Sequence, residues 1–221
     1  QHLLSLSMKK TAVFFLFVFA LSLPCLSAAP KQLKPVTDYI AQQIKGNRIV
    51  GAVALVFHEG KVVHFEATGH ADVENNKPMK KDSLFRIYSM TKPITSVAIM
   101  MLIEEGKMKL DDPVAQYLPQ LKDARVYSAD GEHTKARRPI TVHHLLSHSS
   151  GLTYGIFGDH PVDQMYRKAN PMNNNGTNKD LVDALGAMPL VSHPGEVWRY
   201  SLGTDVLGHL VEVVSKQKLG E

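Results

Sequence analysis

Phe85-Arg86-Ile87-Tyr88-Ser89-Met90-Thr91-Lys92-Pro93-Ile94-Thr95-Ser96 carries a short apolar approach into the start of a helical pattern. Within it, Ser89-Met90-Thr91-Lys92 places a hydroxyl and an amine one helical turn apart, on the same face. A lysine so placed can help remove the hydroxyl proton if burial or a nearby positive charge lowers its pKa. The helix N-terminus favours the negative charge that develops during attack. Pro93 is tolerated because it falls in the first turn, where its missing N–H has no partner to lose. Ile94, Val97, Ala98, Met101 and Leu102 recur at helical spacing and predict one buried face, with Gly106 ending the helix. On the tetrad alone Ser89 also reads as an ordinary helix cap. Ser7-Met8-Lys9-Lys10 and Ser215-Lys216-Gln217-Lys218 match the same pattern, but only Ser89 follows a strand-like stretch and opens an amphipathic helix.

Working outward toward the N-terminus, Leu33, Val36, Ile40 and Ile44 share a helical face that Gly46-Asn47 closes. Ile49 to Phe57 is nearly continuous apolar sequence rich in β-branched residues and predicts a buried strand. Glu59-Gly60 makes a turn, and Lys61 to Thr68 predicts the second strand of a hairpin. Toward the C-terminus, residues 107–197 hold no convincing strand and are divided by Pro113, Pro119, Pro139, Pro161, Pro171, Pro189 and Pro194 into short helices. Asn170 to Lys179 reads as a polar loop. Thr204 to Val214 is helical, with Val206, Leu207, Leu210, Val211 and Val214 on one face. Two strands do not make a stable sheet, so the sequence is expected to be the N-terminal portion of a larger protein.

The stretch around Ser89 resembles the serine β-lactamase and penicillin-binding superfamily, in the branch of class C β-lactamases and family VIII carboxylesterases. Three further segments carry the resemblance. Leu110-Asp111-Asp112-Pro113-Val114 with Tyr117-Leu118-Pro119 is similar to the segment that follows the nucleophile helix there. Ile140-Thr141-Val142-His143-His144-Leu145-Leu146-Ser147-His148-Ser149-Ser150-Gly151-Leu152 is similar to the branch's LLTHTSGL stretch. Pro194-Gly195-Glu196-Val197-Trp198-Arg199-Tyr200-Ser201 is similar to its PG-x-x-W-x-YS stretch. The resemblance implies an α/β plus all-α architecture: a β-lactamase/transpeptidase-like fold with an antiparallel sheet flanked by helices and a helical insertion. Residues 1–29 would be a leader, 30–103 the first part of the sheet domain with the nucleophile helix, and 104–221 the helical domain.

The resemblance further implies that Ser89 is the nucleophile, Lys92 its partner and Tyr200 the third member of the site. A tyrosine is a poor base at its usual pKa of about 10, but a nearby ammonium favours its phenolate, which can then accept the Ser89 proton. Residue 202 separates the subfamilies. The β-lactamases and peptidases usually carry asparagine two positions after this tyrosine, whereas here the run is Tyr200-Ser201-Leu202. Leucine donates no hydrogen bond to a lactam amide, and the Tyr-Ser-Leu run resembles the esterases. The expected function is therefore an exported serine hydrolase cleaving carboxylic esters through an acyl-enzyme. The alternatives are a β-lactamase or D-amino-acid peptidase with the same machinery, and a non-catalytic cell-wall binding module. Tyr154, Phe157 and Leu202 are candidate substrate-binding residues, although Tyr154 and Phe157 read equally well as local core. The family's Lys-Thr-Gly-like triplet, which supplies an oxyanion-hole donor, has no match after Tyr200. Loss of one such donor costs ~100–1,000-fold in rate, so the 221-residue chain alone is expected to be nearly inactive.

Composition narrows the remaining classes. With 44% hydrophobic residues the chain can build a core, which excludes general disorder. A net charge of +4 without a long basic run disfavours nucleic acid as a partner. Met8-Lys9-Lys10, the apolar run Thr11 to Leu23 and Ser27-Ala28-Ala29 form a secretory signal pattern, and residues 1–7 read as translated upstream sequence. The apolar run is shorter than the ~20 residues a bilayer span needs, so no stable membrane anchor is expected after cleavage, and a periplasmic or secreted bacterial protein is. Cleavage removes Cys25, the single cysteine, and leaves an oxygen nucleophile or a metal-bound water as the chemical options. His144 and His148 lie one turn apart, but no Glu stands where a His-Glu-x-x-His site requires it. His148 is expected to hold the Ser149-Ser150-Gly151 loop. No cofactor or metal is expected, and the expected partner is a small-molecule ester or lactam.

Overall fold

The computed structural model describes residues 33–173 and 175–221. The leader, its cysteine Cys25 and the Ser7 tetrad lie outside the described residues. By compactness the chain divides into one unit that ends at Arg86 and another spanning Ile87–Glu221.

In the first unit, helix α1 (Lys34–Lys45) sets Val36, Ile40 and Ile44 half-buried, on the face their spacing predicts. Strands β1 (Gly51–His58) and β2 (Lys61–Asp72) form the expected antiparallel hairpin, with an irregularity in register between Val56 and Phe57. A short strand, β3 (Lys77–Pro78), continues the sheet in the order β1-β2-β3. Gly51 pairs with Gly69 at the far end of the hairpin. Gly69 has φ +83°, and a Cβ there would meet the Val50 carbonyl oxygen at 2.4 Å, so only glycine fits. β1 is not the buried strand its apolar run predicts: Leu55 and Phe57 are 54% and 64% exposed. Leu55 and Phe57, two residues apart, stand on one face of the sheet, and that face is left exposed, while Val56 on the opposite face is half-buried.

The second unit contains the hydrophobic core. A 3₁₀ turn (Tyr88–Met90) leads into α2 (Thr91–Glu104). After it come the paired strands β4 (Arg125–Val126) and β5 (Thr134–Lys135), then helices α3 (Val142–Leu146), α4 (Pro161–Ala169), α5 (Asn178–Gly186) and α6 (Gly203–Ser215). β4 and β5 were not foreseen, because two-residue pairings are too short to show a period of two. Capping boxes start three of the helices: Thr141 with His144 at α3, His160 with Asp163 at α4, and Thr177 with Asp180 at α5. α6 is central. Val206, Leu207 and Leu210 are fully buried, and α2, α3 and α5 all pack on this helix. Burial of each such side chain contributes about 1.5–3 kcal/mol.

α2 corrects the sequence expectation in two ways. Its buried side chains are Thr95, Ile99 and Leu102, while Ile94, Val97, Met100 and Met101 are exposed. The helix is apolar on both sides, so periodicity did not select the face; packing on α6 does. The same packing places α2 with the helical unit, so the division falls after Arg86 and not after residue 103. Among the described residues, no helix is long and apolar enough to cross a membrane.

Candidate active site

Ser89 sits in the 3₁₀ turn ahead of α2, and its side chain caps no helix. Its Oγ shares a 2.8 Å hydrogen bond with the Tyr200 hydroxyl and accepts one of 3.4 Å from Lys92 Nζ. The helix-cap reading of Ser89 is thereby replaced: its hydroxyl bonds functional side chains rather than backbone N–H groups. The residue before it, Tyr88, has φ +45°, a left-handed conformation that is strained for a side chain of this size. This kink turns the chain into the 3₁₀ turn, and α2 then brings Lys92 back beside Ser89. The other described Ser-x-x-Lys match has no such surroundings; Ser215 ends α6 and its Oγ accepts from the Gln217 N–H.

Tyr200 is held from several sides. Arg199, its neighbour, donates from Nη2 to the buried Asp163 Oδ2 at 2.6 Å and from Nε to Thr153 Oγ1 at 3.2 Å. His148 has φ +54°, accepts the Arg199 N–H at its carbonyl and the Ser201 N–H at Nδ1, and lays its ring 4.9 Å from that of Tyr200. His148 thus ties the 148–151 loop to the Tyr200 segment, beyond the loop-holding role expected of it. Gly151, with φ +84°, lets that loop approach Ser192: a Cβ would meet the Ser192 carbonyl oxygen at 2.2 Å. Tyr154 stacks on Tyr200 at 5.4 Å and 5°, and Phe157 lies 5.6 Å away. Lys92 Nζ stands 4.9 Å from the Tyr200 ring centroid and 5.4 Å from that of Tyr154.

This packing decides the charges. Burial pulls the Lys92 pKa down, but the hydrogen bond to Tyr200 and the fields of Tyr154, Tyr200 and Asp205 outweigh it, so the ammonium titrates above its ordinary range. The condition under which Lys92 itself takes the Ser89 proton, a lowered pKa, is not met. The Lys92 ammonium, followed by the Ser89 hydroxyl, lowers the Tyr200 pKa. The Lys92 ammonium and the lowered Tyr200 phenol thus stand side by side next to Ser89 Oγ. Burial, and after it the Lys92 charge, lowers the pKa of His148.

Leu202 is a correction of a different kind. It is fully buried and belongs to the core cluster, so its side chain does not reach a bound molecule. Tyr154 is half-buried and Phe157 67% exposed, both with their rings against Tyr200. A cavity of about 300 Å³ lies beside Ser89 and Lys92, lined also by Tyr154, Asn178, Thr204 and Asp205. Asp205 and Asp163 escaped sequence reasoning. Neither stands in a recognised chemical motif, and only the folding of α4 and α6 against the site reveals them. His144 is occupied in the α3 capping box, its Nδ1 accepting the Thr141 N–H. Among the described residues, no group of three or more His, Cys, Asp or Glu is arranged to hold a metal ion.

A serine hydroxyl, an ammonium and a lowered phenol thus lie together on this helical scaffold. The chain belongs to the beta-lactamase family, whose model matches residues 36–221. It is 38% identical over 180 residues to esterase EstB of Burkholderia gladioli, covering 80% of this chain and 44% of that protein. The fold is similar to EstCE1, described as a hydrolase with promiscuous acyltransferase activity, with TM-score 0.73 and 36% identity over 84% of this chain and 48% of that one. It is also similar to unliganded simvastatin synthase from Aspergillus terreus, with TM-score 0.68 and 28% identity over 87% of this chain and 50% of that one. The chain spans about half the length of the curated relatives it matches. The β-lactamase/transpeptidase-like fold expected from the four motifs is the fold observed.

Proposed function

We propose that this protein hydrolyses carboxylic esters through an acyl-enzyme on Ser89. The observation that carries the reading is the 2.8 Å contact of Ser89 Oγ with a phenol whose pKa the Lys92 ammonium lowers. Tyr200, as phenolate, takes the Ser89 proton while Oγ attacks the ester carbonyl carbon. The tetrahedral oxyanion collapses, the carbon–oxygen bond to the alcohol breaks, and the Tyr200 phenol returns the proton to the departing alkoxide. A water that gives its proton to Tyr200 then attacks the acyl-serine. Collapse releases the carboxylic acid, and the phenol proton returns to Ser89 Oγ. Lys92 keeps its proton throughout and stabilises the phenolate at each turn.

An ester is preferred over a lactam because the named relatives include an esterase and a hydrolase; the buried Leu202 does not bear on the choice. Tyr154 and Phe157 are proposed to flank the acyl group. The test is the hydrolysis of a short-chain aryl ester against a chromogenic cephalosporin by the purified full-length enzyme. Faster aryl-ester turnover, lost in Ser89→Ala, is expected; faster cephalosporin turnover would replace the esterase reading by a β-lactamase one. An organophosphonate adduct on Ser89, seen by mass spectrometry, is expected as well, and its absence would favour a binding module. Export is proposed from the Met8–Ala29 pattern. N-terminal sequencing of the protein recovered outside the cytoplasm should begin near Ala29 or Pro30, and an N-terminus that retains Met8 would overturn it.

A further inference from the structure

Asp205 lies in the first turn of α6, five residues after Tyr200, on the cavity wall shared with Ser89, Lys92 and Tyr154. Its Oδ2 is shielded from solvent and has no hydrogen-bond partner among the described residues. A buried carboxylate oxygen without a donor is costly unless a charge compensates it. The cation lining the same cavity is Lys92, brought there by the packing of α2 on α6. The remaining lining groups near Asp205 are neutral or phenolic: Asn178 from α5, Thr204 from α6 itself, and Thr95 from α2. An acidic residue in a first helical turn also supports the helix dipole, but that role asks for neither the cavity nor the unsatisfied oxygen.

We propose that Asp205 is the counter-charge of the site, a positioning residue that holds Lys92 as a cation against Tyr200 and so sets the pH range over which Ser89 is activated. This rests on the proposed function for its chemistry, but the charge coupling itself does not. The titratable groups facing Lys92 are Tyr154 from the 153–157 loop, Tyr200 from the segment before α6, Asp205 from α6 and His148 from the loop after α3, and Tyr88 from the 3₁₀ turn lines the same cavity. Those facing Asp205 are Lys92, Tyr154 and Tyr200. The directions agree with the geometry. Burial raises the Asp205 pKa and Lys92 opposes the rise, while the Asp205 charge raises Lys92, Tyr154 and Tyr200. Removing the carboxylate charge therefore moves Lys92 and Tyr200 down together. Lys92 becomes easier to deprotonate, and Tyr200 becomes phenolate at lower pH.

The experiment is a pH titration by NMR of the protein carrying ¹³Cζ-labelled tyrosine, with the Tyr200 signal assigned by its loss in Tyr200→Phe. In Asp205→Asn the Tyr200 midpoint is expected to move to lower pH, and in Asp205→Glu, which keeps the charge, to stay near that of the parent. The rate of Ser89 modification by an organophosphonate in Asp205→Asn should exceed that of the parent on the acid side and fall below it on the alkaline side. An unchanged Tyr200 midpoint in an Asp205→Asn variant with parental circular dichroism would overturn the proposal and leave Asp205 as a helix-dipole residue. If Asp205→Asn does not fold, the Asp205 carboxyl is titrated in Lys92→Met, where its midpoint is expected to rise; no rise overturns the proposal. A shifted Tyr200 midpoint in a protein whose Ser89 takes no adduct would sustain the charge coupling and overturn the ester-hydrolase reading alone.

Discussion

Tyr200 shares a hydrogen bond with Ser89 Oγ, which makes it the base of the proposed reaction. Tyr200→Phe should lower ester turnover by ~100–10,000-fold, the usual contribution of a positioned general base. It should also abolish the rise of kcat/KM with pH. In the parent that rise follows Tyr200 ionisation, and because Lys92 and Ser89 lower the phenol, its midpoint should fall below 10.0, the ordinary tyrosine value. Lys92→Met removes the cation and should push the midpoint up, which the same pH–rate profile reads. Leu202 tests a different point. Since the side chain is fully buried, Leu202→Asn places an amide in the core rather than in the site. A loss of about 2–5 kcal/mol in urea unfolding is expected, with no gain of cephalosporin hydrolysis.

The elements around Tyr200 owe their arrangement to one buried ion pair. Asp163, in the first turn of α4, takes hydrogen bonds from Arg199, Thr153 and the His160 N–H, so a single carboxylate joins the Tyr154 loop, α4 and the Tyr200 segment. Arg199→Met leaves that carboxylate buried without its cation and should cost about 3–5 kcal/mol; the double variant Asp163→Asn/Arg199→Met should recover part of the loss. Chemical denaturation measures both. α2 shows how far element-level reading reaches. The helix and its start beside Ser89 were legible from Pro93 and the apolar spacing, but its buried face was not, because Ile94, Val97, Met100 and Met101 offer as plausible a stripe as Ile99 and Leu102. Hydrophobic spacing reports which residues can be buried; the partner helix selects which are.

Across the whole molecule, the buried face of α6, seven residues from Gly203 to Val211, contrasts with the first unit, where β1 and α1 have no fully buried side chain. Amide exchange should follow that contrast, with α6 amides exchanging more slowly than those of β1 and α1 in a native-state hydrogen-exchange experiment. Four ordered motifs between residues 85 and 201 were enough to name the fold, and they pointed to Ser89, Lys92 and Tyr200, which the fold brings together, because motifs of this kind set particular residue types at local spacings. The hairpin and α6 followed from turn residues and periodicity for the same reason. Long-range proximity left no comparable trace in the chain. The unfulfilled Asp205 carboxylate, the Asp163–Arg199 pair, the cationic state of Lys92 and the burial of Leu202 all depend on which groups meet across separate elements. Desolvation and charge–charge energies are set by those meetings in space, and so only the folded arrangement decided them.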